Sequence, residues 1–294
     1  MSRVYNALFR VRHYQCDAYG HLNNVNYVRY MQEAALEASA AIGWDTARYA
    51  EAGYLWLIRE TDIEYLQAAR FGDRVEVRTW VEDFRRVRSR RLYEFRRAGE
   101  EALLARAVTD WVFLDAASGH PTSVPDEVMR AYLEPGEAPQ ATPRDKMPEP
   151  PPAPPGIFRL HKRVEWRDID NAGHANNSAY FAYLEDCSTQ VGRHFQWPMR
   201  RMLDAGFAMV LRQMRVQYLQ PAYMDDEIEI SAWLSGGKAA QATRHYLITR
   251  PSDGALLARA QGLWVCFDLK RQRPMRIPQQ VLDDFASNIA QPAP

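Results

Sequence analysis

One register shift of 153 residues lays the second half of this 294-residue chain on the first. It carries His21 to His174 (174 − 21 = 153), Trp44 to Trp197, Gly53 to Gly206, and Tyr65-Leu66-Gln67 to Tyr218-Leu219-Gln220. The same shift takes Trp80 to Trp233, Ala102-Leu103-Leu104-Ala105-Arg106-Ala107 onto Ala255-Leu256-Leu257-Ala258-Arg259-Ala260, and Pro125 to Pro278. A shift that never slips leaves no room for insertions between matching elements, so both halves must fold as copies of one unit.

The copies are expected at residues 1–134 and 156–294. Between them, residues 135–155 hold nine of the chain's 18 prolines. With few backbone donors, such a stretch favours extended polyproline II and reads as a strap able to span roughly 60 Å.

Within each copy the hydrophobic period changes once. Residues 8–15 read as a strand. From residue 24 to about 42, Val25, Val28, Met31, Ala35, Ala38 and Ile42 recur at helical spacing, and Gly43 supplies a stop. Copy two repeats the pattern from Asn177 through Val191, with Gly192 as the matching stop. Strand signals follow at 54–66, 74–83, 89–97 and 103–115; in the second of these Val75, Val77, Thr79 and Val81 alternate with Glu76, Arg78 and Trp80. Short turns demand antiparallel pairing. Each copy is therefore expected to be an α+β unit, an antiparallel sheet curled about one long helix.

Where the strand hands over to the helix, both copies carry the same turn. It reads Asp17-Ala18-Tyr19-Gly20-His21-Leu22-Asn23-Asn24 and Asp170-Asn171-Ala172-Gly173-His174-Ala175-Asn176-Asn177. An acid thus lies beside the unpaired N–H groups of a helix N-terminus. Either it is an ordinary turn or capping residue, or it is a reactive carboxylate next to ready-made anion stabilisers. His21 and His174 are equally read as orienting groups for the acid or as packing residues. Asn23, Asn24, Asn176 and Asn177 suit capping, and Gly20 and Gly173 suit a backbone conformation closed to other residues.

Charge narrows the partners. Lys plus Arg and Asp plus Glu both total 37, so no global field favours nucleic acid or an acidic membrane. No apolar stretch approaches a membrane span and the first residues lack an apolar h-region, so a cytoplasmic protein is expected. Cys16, Cys187 and Cys266 are scattered, without metal-ligand spacing, and suit packing as small apolar groups.

The element order, together with Asp-x-x-Gly-His-x-Asn-Asn-x-x-Tyr at the helix entrance, resembles the hotdog-fold acyl-CoA thioesterases of the 4-hydroxybenzoyl-CoA thioesterase type. The plant acyl-ACP thioesterases look like more distant relatives. Tyr65-Leu66-Gln67-Ala68-Ala69-Arg70-Phe71-Gly72-Asp73 and the closing Val112-Phe113-Leu114-Asp115 are also similar to that family. The resemblance implies a tandem double hotdog that mimics the family's homodimer, with ligand sites formed between the copies. It implies hydrolysis of an acyl-CoA or acyl-carrier-protein thioester, with Asp17 and Asp170 as base or nucleophile and backbone N–H groups near Asn24 and Asn177 polarising the carbonyl. One such donor is typically worth about 3 kcal/mol of barrier. His21 and His174 join them as catalytic candidates, and Gly20, Gly173, Tyr27 and Tyr180 as substrate contacts. No metal or cofactor is required, and a homo-oligomer is expected.

Phosphates of coenzyme A need cations. In family sites they lie around the hairpin that here carries Arg85-Arg86-Val87-Arg88-Ser89-Arg90-Arg91 in copy one and Gly236-Gly237-Lys238 with Arg244 in copy two, making Arg90, Arg91, Lys238 and Arg244 candidates, with a plain solvated hairpin as the other reading. Arg59 and Arg212 are candidates on matching strands, with a structural ion pair as the other reading. The copies also differ: Glu60 matches Gln213, Glu64 matches Gln217, and Tyr19 matches Ala172. Two other functions compete. A hotdog hydratase of one type places its His five residues after the Asp, whereas the interval here is 21 − 17 = 4. A non-catalytic acyl-CoA-binding protein would keep the fold and lose turnover.

Overall fold

The computed structural model describes residues 2–139, 141–236 and 239–290. The chain divides into two compact units, Met1–Lys146 and Met147–Pro294.

In the first unit, strands β1 (Tyr5–Arg10), β2 (Tyr54–Tyr65), β3 (Arg74–Arg85), β4 (Arg88–Arg97) and β5 (Leu103–Asp115) form an antiparallel sheet in the order β1-β3-β4-β5-β2. The long helix α1 (Asn24–Ala41) packs on it, burying Val25, Tyr27, Val28, Met31, Ala34, Ala35 and Ala38. These recur three and four residues apart, so one face of the helix meets the sheet. Along β3 the expected alternation holds: Val75, Val77, Thr79 and Val81 are buried while Arg78 is exposed. Short helices α2 (Thr46–Glu51) and α3 (Asp126–Tyr132) send Tyr49, Val128 and Tyr132 into one buried cluster with Trp44, Val81, Phe84 and Phe113.

A bulge breaks the β3–β4 ladder between Val81 and Asp83, where Val81 faces Arg91 and Asp83 faces Arg90. The extra residue lets both Asp83 and Phe84 be buried, on opposite sides. The Asp83 side chain is fully buried and is met by Arg144 in an ion pair, by Arg85 at 3.6 Å, and by the Thr142 N–H at 3.1 Å. The Pro-rich stretch is thus held by arginines. Arg90 donates to the Pro143 carbonyl at 3.3 Å, and Arg259 of the second unit donates to the Met147 carbonyl at 3.4 Å and pairs with Glu149. A chain with few N–H groups still offers carbonyls, and guanidinium groups take them.

The second unit repeats the pattern with β6 (Phe158–Arg163), α4 (Asn177–His194), α5 (Met199–Asp204), β7 (Phe207–Tyr218), β8 (Glu227–Gly236), β9 (Gln241–Arg250), β10 (Ala255–Asp268), β11 (Arg273–Pro274) and α6 (Gln279–Asp284). Its strand order is β6-β8-β9-β10-β7, with β11 paired to β10. Cys187 and Cys266 are buried, and burial pushes their thiols up to about 12 and about 11. No helix among the described residues is long and apolar enough to cross a membrane.

Two local expectations change. The strand expected over 8–15 is instead β1, ending at Arg10, followed by a single 3-10 turn at His13–Gln15. The Gln15 side chain takes the Arg12 N–H at 2.8 Å and stops strand pairing there. Gly192 does not end α4, which runs on to His194. A Cβ at Gly192 would lie 2.9 Å from the Trp197 carbonyl oxygen, so the residue permits a close approach of backbone rather than a stop. Gly192→Ala is expected to cost about 1–3 kcal/mol. An unchanged thermal midpoint would show that the Trp197 segment gives way freely.

His245 is buried on β9, its Nε2 2.7 Å from the Ser235 hydroxyl. Burial pulls its imidazole down to about 4 from the ordinary 6.5. Below pH 6.5 the unfolded chain binds a proton that the folded chain refuses. Its contribution is therefore intact above about pH 6.5 and lost as pH falls towards 4. The urea midpoint should decline across that window, and His245→Gln should flatten the decline.

Candidate active site

Each signature turn is built by its own acid. In the first unit Asp17 Oδ1 accepts the N–H groups of Tyr19 at 2.9 Å and His21 at 3.1 Å, while the Asp17 N–H donates to the His21 carbonyl at 2.8 Å. Gly20 closes the loop at φ 75°, the left-handed conformation that favours glycine. In the second unit Asp170 Oδ1 accepts the Ala172 N–H at 2.9 Å, and Gly173 repeats the turn at φ 80°. Asp170 Oδ2 accepts from the Asn176 amide at 3.3 Å.

The helices begin immediately beyond. Asn23 and Asn176 are the N-caps, their side-chain oxygens accepting the N–H groups of Val25 at 2.9 Å and Ser178 at 2.8 Å. The N–H groups of Asn24 and Asn177 have no acceptor among the described residues, whereas their carbonyls accept the hydroxyls of Tyr65 at 3.4 Å and Tyr218 at 3.3 Å. A cap that serves only the next residue leaves the first helical donor open. In the second unit one Asn176 side chain joins the acid to the helix entrance, through its amide to Asp170 and its oxygen to Ser178.

A second layer holds the turn in place. In the first unit the Gln15 carbonyl accepts the Asn23 N–H and the Asn26 amide, both at 2.9 Å, and its side chain accepts the Tyr30 hydroxyl at 2.8 Å. Asp168 occupies the matching place in the second unit and takes the Tyr183 hydroxyl at 2.8 Å. Two turns of one geometry therefore differ by one neighbouring charge. They differ again at Tyr19, whose phenol is raised by burial and then by the Asp17 carboxylate. Ala172 offers no such group.

The histidines divide the same way. His21 pairs its backbone with Arg70, and its ring lies 6.3 Å from that of Tyr19. His174 Nδ1 lies 4.0 Å from Asp170 Oδ1 and 3.5 Å from the Ala175 carbonyl oxygen. Tyr27 and Tyr180, expected as substrate contacts, are each 2% exposed. Tyr27 packs edge-on against Tyr65 and Phe95, Tyr180 against Tyr218, and desolvation pushes both phenols up to about 12.

The basic candidates have distinct surroundings, each within its own unit. Successive residues of β4 point to opposite faces. Arg90 is spent on Asp110 at 3.1 Å and Glu82 at 3.9 Å, while Arg91 turns into the interior at 5% exposure. Arg244 lies over the Trp264 ring, 5.5 Å from its centroid, and donates to the Ser188 carbonyl at 3.5 Å. Arg59 and Arg212 are partly buried on β2 and β7; burial, then the neighbouring Arg88, lowers the Arg59 pKa. Lys238 lies outside the described residues.

Alongside the C-terminal half of α1 the first unit holds an open-mouthed cavity of about 360 Å³. Trp44, Tyr54 and Trp56 line it, as do Phe84, Trp111 and Arg91. Ser39 and Tyr132 add hydroxyls that bond to each other, and Tyr49 stands 3.3 Å from Tyr132. The polar part of this lining has no signature in the repeat, because the shift places Gly192, Met202 and Phe285 opposite Ser39, Tyr49 and Tyr132.

A curved antiparallel sheet around one long helix, with a carboxylate at the open helix N-terminus, and all of it twice, is the architecture of a tandem hotdog protein. Comparison with known proteins agrees. The Thioesterase-like superfamily model matches residues 11–132 and again 164–285, and the chain belongs to that family. Both limits of the match are displaced by the same interval, 164 − 11 = 153 and 285 − 132 = 153. Acyl-CoA thioester hydrolase YbgC of Escherichia coli O6:H1 is 28% identical over 129 residues, 44% of this chain and 96% of that protein. Long-chain acyl-CoA thioesterase FadM of E. coli K12 is 26% identical over 130 residues, 43% of this chain and 96% of its own. Each corresponds in length to one unit. Over both units, the crystal structure of a provisionally assigned oleoyl thioesterase from Lactobacillus plantarum superposes with a TM-score of 0.78 at 20% identity, covering 90% of this chain and 96% of that one.

Proposed function

We propose that the chain hydrolyses the thioester of acyl-CoA, or of an acyl-carrier protein, at its two turns. The activity class is that of the named relatives, which are acyl-CoA thioester hydrolases. The observation that carries the reading onto particular atoms is the pair of N–H groups at Asn24 and Asn177, each without an acceptor among the described residues and each seven residues after a carboxylate. An oxyanion developing on the thioester carbonyl is stabilised by such a donor, aided by the positive end of the helix dipole.

Asp17 and Asp170 then supply the base. Asp17 accepts two backbone N–H groups, and Asp170 one together with the Asn176 amide, donors that stabilise the anion and blunt its own attack on carbon. The carboxylate takes a proton from a water, the resulting hydroxide adds to the carbonyl carbon, and the tetrahedral intermediate expels the thiolate. Asn23 and Asn176 position the helix entrance; His174 lies near enough to Asp170 to orient it.

Release of free thiol from a panel of acyl-CoAs, trapped with a thiol reagent, tests the reading. Binding without thiol release across the panel would replace the enzyme with an acyl-CoA-binding protein. A single turnover in ¹⁸O water tests the base: label appearing in Asp17 or Asp170 would make the carboxylate the nucleophile.

A further inference from the structure

Arg91 is a cation that its unit does not neutralise. At 5% exposure it donates from Nη1 to the Thr79 hydroxyl at 3.4 Å and lies over the Tyr132 ring, 5.4 Å from the centroid. Among the described residues no carboxylate stands within ion-pair distance of it. Asp83 and Asp110 on the neighbouring strands are taken by Arg144, Arg85 and Arg90. Burying the Arg91 charge without a counter-ion is costly, and Arg91 lines the cavity.

The rest of the cavity is suited to a molecule of mixed character. Its volume of about 360 Å³ falls within the usual range for ligand pockets, roughly 300–1,000 Å³. Trp44, Trp56 and Trp111 offer apolar surface, while the Ser39–Tyr132–Tyr49 hydroxyls gather beside the guanidinium. The Trp56 indole N–H is buried near the Tyr49 hydroxyl, in a geometry that makes no hydrogen bond. In the second unit Gly192, Met202 and Phe285 stand in the places of Ser39, Tyr49 and Tyr132. Phe285 packs on Phe195 with ring centroids 4.6 Å apart, and a Cβ at Gly192 would already lie 3.6 Å from the Met202 methyl.

We propose that the first unit's cavity binds a carboxylate carried on an apolar body, the carboxylate pairing with Arg91. Two sources share that chemistry: the far end of a dicarboxylic acyl group, and a free carboxylic acid. The first rests on the thioester reading of the turns; the second does not. Within the first unit, Asn24 and Ser39 are separated along α1 by about 22 Å of helical rise, so a ligand in the cavity does not by itself occupy that unit's turn.

Calorimetric titration of the full chain decides. One arm compares non-hydrolysable thioether analogues of octanedioyl-CoA and octanoyl-CoA; the other compares octanoate with octan-1-ol. At least one charged probe is expected to bind tenfold or more tightly than its neutral match, and Arg91→Gln or Arg91→Met is expected to bring that ratio near one. Preference in the first arm alone identifies a dicarboxylic acyl group, and preference in the second alone a free acid. Ratios near one in both arms, or a preference that survives loss of Arg91, would overturn the proposal. The wild-type ratios decide even if neither variant folds. Because the probes are not turned over, a chain that hydrolyses no acyl-CoA can still show the preference, and an active hydrolase can lack it.

Discussion

Asp17→Asn combined with Asp170→Asn is expected to lower kcat for acyl-CoA hydrolysis by about 10²–10⁴-fold while leaving the thermal midpoint nearly unchanged. Asparagine keeps the oxygen that accepts the N–H groups of Tyr19, His21 and Ala172, so both turns keep these backbone bonds while losing their basicity, and only the bond from the Asn176 amide to Asp170 is given up. The single variants separate the two turns. Asp170 has the Asp168 carboxylate and the His174 ring nearby, whereas Asp17 has Gln15 and Tyr19, so the two losses should differ in size. Thiol release at wild-type rate from the double variant would remove both aspartates from the mechanism.

Arg144→Met should destabilise the first unit by about 3 kcal/mol. The Asp83 side chain is fully buried, and without Arg144 its strongest ion pair is gone, leaving Arg85 at 3.6 Å and the Thr142 donors. For a domain of this size the thermal midpoint should fall by roughly 6–12 °C. Adding Asp83→Leu to Arg144→Met should recover much of the loss, since the penalty comes from the stranded carboxylate rather than from the missing cation. A single variant as stable as the wild type would show that the strap segment contributes nothing at Asp83.

The duplicated architecture is legible in the residues because chain order and spacing are what a repeat preserves. Strand alternation in β3 and the helical stripe from Val25 to Ala38 follow directly from side-chain period, and both are seen. The start of the unit is less legible. Residues 8–15 alternate well enough for a strand, yet the local contact of Gln15 with Arg12 captures the backbone in a 3-10 turn. Local side-chain competition of this sort leaves no periodic trace.

At the turn, the Asp, Gly, His and Asn set could be read as a unit because it recurs within eight residues. Which donor is left open could not, for that depends on the Asn23 and Asn176 caps serving Val25 and Ser178 rather than Asn24 and Asn177. Arg90 and Arg91 show a further limit. Adjacent in sequence and alike in charge, they are sent by the pleat to an ion-pair cluster and to a cavity. The Ser39–Tyr132–Tyr49 cluster joins residues 93 and 83 positions apart, so only the folded chain brings it together.

That cluster also bears on stoichiometry. In an assembly of identical chains every substitution is copied into each protomer, and a pocket tuned in one is tuned in all. Here the two turns are translated as one product, while Ser39, Tyr49 and Tyr132 have no polar counterparts at Gly192, Met202 and Phe285. Duplication within a single chain has thus released the cavity from the symmetry that an assembly of identical chains would impose. One half of the molecule could acquire a new preference for its ligand without any change in the other.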